Sequence, residues 1–262
     1  EHRGEVVRID YPTRNYAEST GAARTNTAYV YLPYGYDEHP DRRYNVLYFV
    51  HGHYGTASTT FEAENGLLRK LLDHMTENGD MAPTIVVSPS YNYGQPTANY
   101  ADADPSCEAL PEELVNDLIP IVESRYRTYA ESTDAAGLEA SRGHRAIGGF
   151  SMGAVTTWYA LEHTLSCFKY FMPVSADCWS LGRFAGMNRP DETALYLADI
   201  VSRSPYAGDG FYIWAASGMD DSAYRETLVQ VEAMVRLTDV FPLSNLTFHE
   251  KDAARHEYRP MA

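Results

Sequence analysis

A serine between two glycines, in Gly149-Phe150-Ser151-Met152-Gly153, is the group in this chain best placed for covalent chemistry. A serine hydroxyl is a poor nucleophile until a base takes its proton, and the base needs a carboxylate to fix its tautomer and stabilise its cation. The pattern is that of a nucleophile elbow, where the serine sits at a strained angle on a sharp strand-to-helix turn. Glycines two residues to either side remove side chains that would strike the neighbouring strand or helix. A Gly-rich turn of this kind also occurs with no chemistry attached, so its partners decide its meaning.

Of the histidines, only His163, His249 and His256 follow Ser151. In the architecture that carries such elbows the chain order is serine, acid, histidine. His163 ends the helix that the elbow begins and precedes every later acid, so the order excludes it. His249 continues a strand pattern, where a half-buried packing role is expected. His256 lies beyond that strand, in Ala253-Ala254-Arg255-His256-Glu257, and is the expected base. The acid is expected after the strand Phe211 to Ala215, where Asp220 and Asp221 follow Ala216-Ser217-Gly218-Met219. One of them suits the acid and the other a cap for the helix after Ser222, and position does not separate them. An oxyanion needs backbone N–H donors, one just after the nucleophile and one in the loop after an earlier strand. His51-Gly52-His53-Tyr54-Gly55, after the apolar strand that ends at Val50, is that loop. A metal site at His51 and His53 is the competing reading, and no third ligand at suitable spacing supports it.

These groups need a scaffold that brings strand ends together. Val6 to Tyr11 and Thr27 to Leu32 read as an antiparallel pair. Val46 to Val50 and Ile85 to Val87 are short apolar runs, as in strands covered on both faces. Tyr170 to Val174, Phe211 to Ala215 and Leu246 to Phe248 are further strands. Helices are expected from Phe61 to Met75, from Pro111 with a kink at Pro120, after the elbow, and along the stripe Tyr224, Leu228, Val231 and Val235. Ser90 to Asp104 reads as a loop. Strands alternating with amphipathic helices imply an α/β fold, with a mostly parallel central sheet, helices on both faces and an antiparallel N-terminal edge. Reactive groups in such sheets gather at the carboxyl ends of the strands.

At 262 residues, with no repeat and no long linker, residues 1–262 read as one domain. No apolar run is long enough to span a bilayer. The net charge of −15 argues against nucleic acid and anionic membranes as partners. The N-terminal residues carry no apolar core, so a secretion signal has been removed or was never present. The three cysteines, Cys107, Cys167 and Cys178, show no metal or redox spacing. Cys107 and Cys178 lie in polar, loop-like stretches, and a disulfide between them is an open expectation for an extracellular protein.

Several segments together resemble one known family: NTAYVYLPYGYD, YNVLYFVHGHYG, LVNDLIPIVESRY, RAIGGFSMGAVTTWYAL, FMPVSADCW, WAASGMDDSAY and ARHEY. They look like the feruloyl and related esterases of carbohydrate esterase family 1, within the α/β-hydrolases. The resemblance implies Ser151 as nucleophile, His256 as general base and, through a Gly-x-x-Asp pattern, Asp221 as the acid. It implies oxyanion donors at the amides of Met152 and His53. Trp179 matches an aromatic position that lines the phenolic pocket, with Tyr54, Asn92 and Tyr224 as further pocket candidates. The implied reaction releases ferulate or related hydroxycinnamates from plant cell-wall arabinoxylan, with no metal or organic cofactor. The implied setting is extracellular, within a longer multimodular xylan-degrading enzyme. Acetyl-xylan esterase, mycolyl-type acyltransferase and an inactive polysaccharide-binding homologue are the alternatives. Relatives continue past the histidine into a closing helix, which a chain stopping at Ala262 is expected to lack.

Overall fold

The computed structural model describes residues 2–257, apart from the side chains of residues 63–65. An eight-stranded sheet runs in the order β1-β2-β4-β3-β5-β6-β7-β8. The strands are β1 (Glu5–Arg14), β2 (Ala23–Leu32), β3 (Asn45–Val50), β4 (Thr84–Ser88), β5 (Arg145–Phe150), β6 (Tyr170–Val174), β7 (Tyr212–Gly218) and β8 (Leu246–Lys251). β1 pairs antiparallel with β2, and β2 antiparallel with β4. From β4 through β3 to β8 all pairs are parallel. This is the α/β-hydrolase arrangement that the alternation of strands and helices requires.

The two-residue period of β3 distributes one apolar run to both faces of the sheet. Val46, Tyr48 and Val50 enter the main core, while Leu47 and Phe49 pack with Tyr31, Phe61, Leu72 and Val86 under helix α1 (Thr59–Asn78). On the main-core face lies a long helical run. It consists of α2 (Tyr100–Glu113), a π-helical turn (Leu114–Leu118) and α3 (Ile119–Arg125). The short α4 (Ala135–Ala140) leads to β5, and α5 (Met152–His163) follows it. α6 (Ala185–Asn188) and α7 (Pro190–Arg203) follow β6, and α8 (Tyr224–Val235) follows β7.

Three expectations change. Ser90 to Asp104 is not all loop, because α2 starts at Tyr100, where Asn99 Oδ1 accepts from the Asp102 amide at 3.1 Å. Pro111 does not start a helix but lies inside α2, and Pro120 opens α3 after a π turn that absorbs the break in the hydrogen-bond ladder. Cys107, Cys167 and Cys178 are free and buried, so no Cys107–Cys178 bridge forms. Cys107 faces inward from α2, and the Cys178 amide is held by Gln230 Oε1 at 2.6 Å, so neither occupies a polar loop surface.

Candidate active site

The turn from β5 into α5 folds as its glycines demand. Ser151 has φ 56° and ψ −118°, a region that residues with a Cβ rarely adopt. A Cβ on Gly153 would stand 2.1 Å from the Val50 carbonyl oxygen, so α5 reaches β3 this closely only with glycine there. The Ser151 amide donates to the Val174 carbonyl at 2.9 Å, tying the elbow to the end of β6. These contacts over-determine a strained backbone and project the hydroxyl from the top of the sheet.

Ser151 Oγ lies 2.9 Å from His256 Nε2, and His256 Nδ1 lies 2.7 Å from Asp221 Oδ1. The carboxylate only accepts, so Nδ1 carries the proton and Nε2 is left to receive one from the serine. Asp221 Oδ1 also accepts from the Ala223 amide at 2.7 Å. Burial alone would raise this carboxyl, but the imidazole and the amide outweigh it and hold it below its ordinary value. It therefore stays ionised at neutral pH and can balance a transient imidazolium. The Phe150 ring packs on the imidazole with centroids 4.6 Å apart, which restricts the ring from one side.

Beside the serine, the loop after β3 is held from below by the loop after β4. Tyr91 Oη donates to the Gly52 carbonyl at 2.9 Å, and Asn92 Nδ2 donates to the Gly55 carbonyl at 2.7 Å. In a trans peptide the N–H points opposite to the C=O, so tying down the Gly52 oxygen turns the His53 amide the other way. A Cβ on Gly52 would stand 3.5 Å from the Ser151 Cβ, so this peptide adjoins that serine. Met152 opens α5, where first-turn amides have no partner within the helix and the helix dipole is positive. His51 is fully buried between the Gly52 carbonyl and the Ser90 hydroxyl, and burial lowers it to about 4, so it is neutral and structural. Among the described residues no cluster of three metal-ligating side chains forms.

Next to Ser151 lies a pocket of about 120 Å³ whose wall includes Tyr100, Val155, Trp179, Phe184 and Glu226. Trp179 is buried, and its Nε1–H donates to Asp177 Oδ1 at 2.7 Å. Asp177 also accepts from the Met187 amide at 2.7 Å, and burial pushes its carboxyl up to about 6 against these hydrogen bonds. Phe184 stands with its ring centroid 4.7 Å from that of Trp179. A roomier surface groove of about 470 Å³ between Tyr16, Asn116 and His163 shares none of this lining.

With this geometry in view, the model of the Esterase family, described as "Putative esterase", matches residues 19–259. The chain belongs to this esterase family. It is 39% identical over 258 residues to Endo-1,4-beta-xylanase Y of Acetivibrio thermocellus, covering 97% of this chain and 22% of that protein. It is 30% identical over 159 residues to an Endo-1,4-beta-xylanase/feruloyl esterase of Xylanibacter ruminicola, covering 60% of this chain and 19% of that one. The esterase chain thus spans about a fifth of the length of these curated relatives. Among solved structures it resembles a serine-to-alanine mutant of the feruloyl esterase module from Clostridium thermocellum complexed with sinapinate. That likeness has a TM-score of 0.84 and 36% identity, and covers 99% of this chain and 84% of the other. The fold is shared with a ferulic acid esterase from the anaerobic fungus Anaeromyces mucronatus, at TM-score 0.69 and 20% identity, over 100% of this chain and 87% of the other.

Of the residues expected from the sequence, Ser151, Asp221, His256, Met152 and Trp179 meet at this pocket, with His53 in the adjoining loop. Asp220 does not cap α8: it is exposed, and its amide pairs with the Ala254 carbonyl at 3.0 Å. His249 is exposed rather than half-buried, stacked on Trp214. Three pocket candidates lie elsewhere. Asn92 is buried beneath the Gly55 carbonyl, Tyr224 hydrogen-bonds Glu250, and Tyr54 is exposed with its ring edge-on to His53. Tyr100, Phe184, Asp177 and Glu226 were not expected. Asp177 two residues before Trp179 was the available signal, whereas Glu226 reads in sequence as an ordinary acid in a helix's first turn. The expectation of a missing closing helix, and Tyr258 of the ARHEY segment, lie outside the described residues.

Proposed function

We propose that the chain is a serine carboxylic ester hydrolase that releases ferulate or related hydroxycinnamates from plant cell-wall arabinoxylan. The observation that carries this reading is the hydrogen-bonded series Ser151, His256 and Asp221, opening beside a pocket walled by Trp179 and Phe184. Ser151 Oγ attacks the ester carbonyl while its proton passes to His256 Nε2. Asp221 stays ionised, holds the imidazole in its tautomer and stabilises the imidazolium. The amides of Met152 and His53 receive the tetrahedral oxyanion. Collapse expels the sugar alkoxide, which takes the proton from His256 and leaves a hydroxycinnamoyl ester on Ser151. Water, deprotonated by His256, attacks that ester, and the acid departs with the serine restored.

The aromatic walls support a hydroxycinnamoyl rather than an acetyl group, because a flat conjugated ring gains most from burial between indole and phenyl surfaces. A related module bound to sinapinate, itself a hydroxycinnamate, and relatives named as xylanases support the same choice. We infer an extracellular setting among other xylan-degrading modules on the same grounds. The decisive measurement compares release of ferulate and of acetate from feruloylated and acetylated xylan by the parent and by S151A. Ferulate release by the parent and not by S151A is expected. Preferential acetate release, or full activity in S151A, overturns the proposal.

A further inference from the structure

Glu226 stands in the pocket wall with Ser151, His256, Trp179 and Phe184, on the first turn of α8. It is half-buried, and among the described residues no hydrogen bond or ion pair reaches its carboxyl. The groups that act on it, Asp177, His256 and Asp221, do so at longer range. Burial raises the carboxyl to about 7, reinforced by Asp177, opposed by His256 and reinforced again by Asp221. A half-buried acid without a partner is unfavourable in the empty protein unless it serves what enters the pocket.

We propose that Glu226 is a specificity-determining residue that accepts a hydrogen bond from a ring hydroxyl of the bound hydroxycinnamoyl group. The inference rests on the hydroxycinnamate reading above and deepens it. With its carbonyl at Ser151 and its ring against Trp179 and Phe184, such an acyl group carries its remaining donor, the phenolic O–H, into a wall where, among the described residues, Glu226 is the one carboxylate. Buried without an acceptor, that O–H loses its water for nothing; opposite Glu226 it gains a charge-assisted bond. An acyl group lacking the hydroxyl leaves the carboxyl unpaired, and sites built this way reject such analogues strongly. A hydroxyl of the departing sugar is the competing donor, since His256 shares the wall. The aromatic neighbours of Glu226 favour the ring.

The test is the ratio of kcat/KM for methyl 4-hydroxy-3-methoxycinnamate over methyl 3,4-dimethoxycinnamate, which differ by replacing one O–H with O–CH₃. It is measured for the parent, E226Q and E226L. The parent is expected to favour the hydroxy ester by about tenfold or more. E226Q keeps most of that preference because the amide oxygen still accepts, and E226L brings the ratio close to one. A ratio taken within one variant cancels any general loss of active protein, and E226A replaces E226L should the latter not fold. Equal ratios in the parent and the apolar variants overturn the role of Glu226 while leaving the hydroxycinnamate reading intact. A parent that hydrolyses neither ester overturns both. If the variants instead lose only the advantage of feruloyl-arabinose over methyl ferulate, Glu226 serves the alcohol side and the proposal fails.

Discussion

Gly218 lies so close beneath Ala254 that a Cβ on the glycine would stand 2.2 Å from the alanine's carbonyl oxygen. Two backbone bonds close the same junction, from Met219 N to Lys251 O at 2.9 Å and from Asp220 N to Ala254 O at 3.0 Å. The loop after β7 brings Asp221 and the loop after β8 brings His256, so this junction sets the distance between the two side chains. Pairing of the Asp220 amide with Ala254 leaves Asp220 outside and turns Asp221, the next residue, inward to the imidazole.

Gly218→Ala is accordingly expected to push the Ala254 loop away and disturb the alignment of His256 without removing any polar group. A displacement near 1 Å is expected to lower kcat by about 100-fold. Steady-state kinetics beside the far-ultraviolet circular dichroism of the variant check this. Retention of parental kcat in a folded variant would show that the loop relaxes freely and that the junction does not govern the geometry.

The residues also show where sequence reasoning reaches its limit. The elbow, the apolar strands around it and the order of Ser151, Asp221 and His256 are local patterns; chain order excludes His163, and the strand pattern through His249 leaves His256, in the loop beyond it, as the base. Asp220 and Asp221 were inseparable by position because the junction at Ala254, made by residues distant in sequence, is what distinguishes them. Resemblance chose Asp221, and the backbone pairing supplies the physical reason. α2 was missed because Ser90 to Asp104 read as loop and Pro111 as a helix start, whereas the helix begins at Tyr100 and runs through Pro105 and Pro111 to the π turn. Cys107 and Cys178 looked like loop residues because their neighbours are polar, yet both side chains point inward. Glu226 gave no signal because what sets it apart is a cavity, and a cavity is assembled from several segments.

The bond from Trp179 Nε1 to Asp177 Oδ1 predicts a second outcome. Asp177 accepts two N–H groups, from Trp179 and Met187, and an asparagine can offer only one accepting oxygen, turning its own N–H₂ toward the other donor. Asp177→Asn is expected to release the indole, and kcat/KM on methyl ferulate should fall by about tenfold or more, since hydrogen bonds to charged groups contribute about 1.5–3 kcal/mol. The loss on 4-nitrophenyl acetate should be smaller, because a small acyl group does not need the indole wall. Parallel losses on the two esters would instead mean that Asp177 supports the turn as a whole.

At the opposite end of β5 from Ser151, Arg145 and Glu123 form a fully buried pair, with Nε to Oε1 at 2.6 Å and Nη2 to Oε2 at 2.8 Å. Removing the carboxylate in Glu123→Leu leaves a guanidinium without its counter-charge in the core. The expected destabilisation is about 3–5 kcal/mol, a large share of the total for a domain. Urea denaturation measures it, and the change belongs to stability rather than chemistry, so the folded fraction should keep a kcat close to the parent's. A loss of kcat in fully folded protein would mean that strain at Arg145 travels along β5 to the elbow.

Glu226 links the pocket to pH-dependent stability with a definite sign. Its carboxyl sits near 7 in the folded protein against an ordinary 4.5, chiefly through burial. Below the lower value it is protonated in both folded and unfolded chains and contributes no difference. Between the two values the unfolded chain ionises while the folded one resists, so stability falls as pH rises, and above about 7 the full penalty is present. Solvent still reaches part of the carboxyl, which limits the effect to about 1 kcal/mol. Glu226→Gln removes the ionisation, so the variant should be more stable than the parent at pH 8 and nearly equal to it at pH 4, by thermal or urea denaturation. Asp177, raised in the same direction to about 6, is present in both proteins and largely cancels from the comparison. An equal stability difference at both pH values would show that Glu226 ionises as freely in the folded protein as in the unfolded chain. The carboxyl would then already be well solvated in the empty pocket, and a phenolic hydroxyl would gain much less by replacing that water.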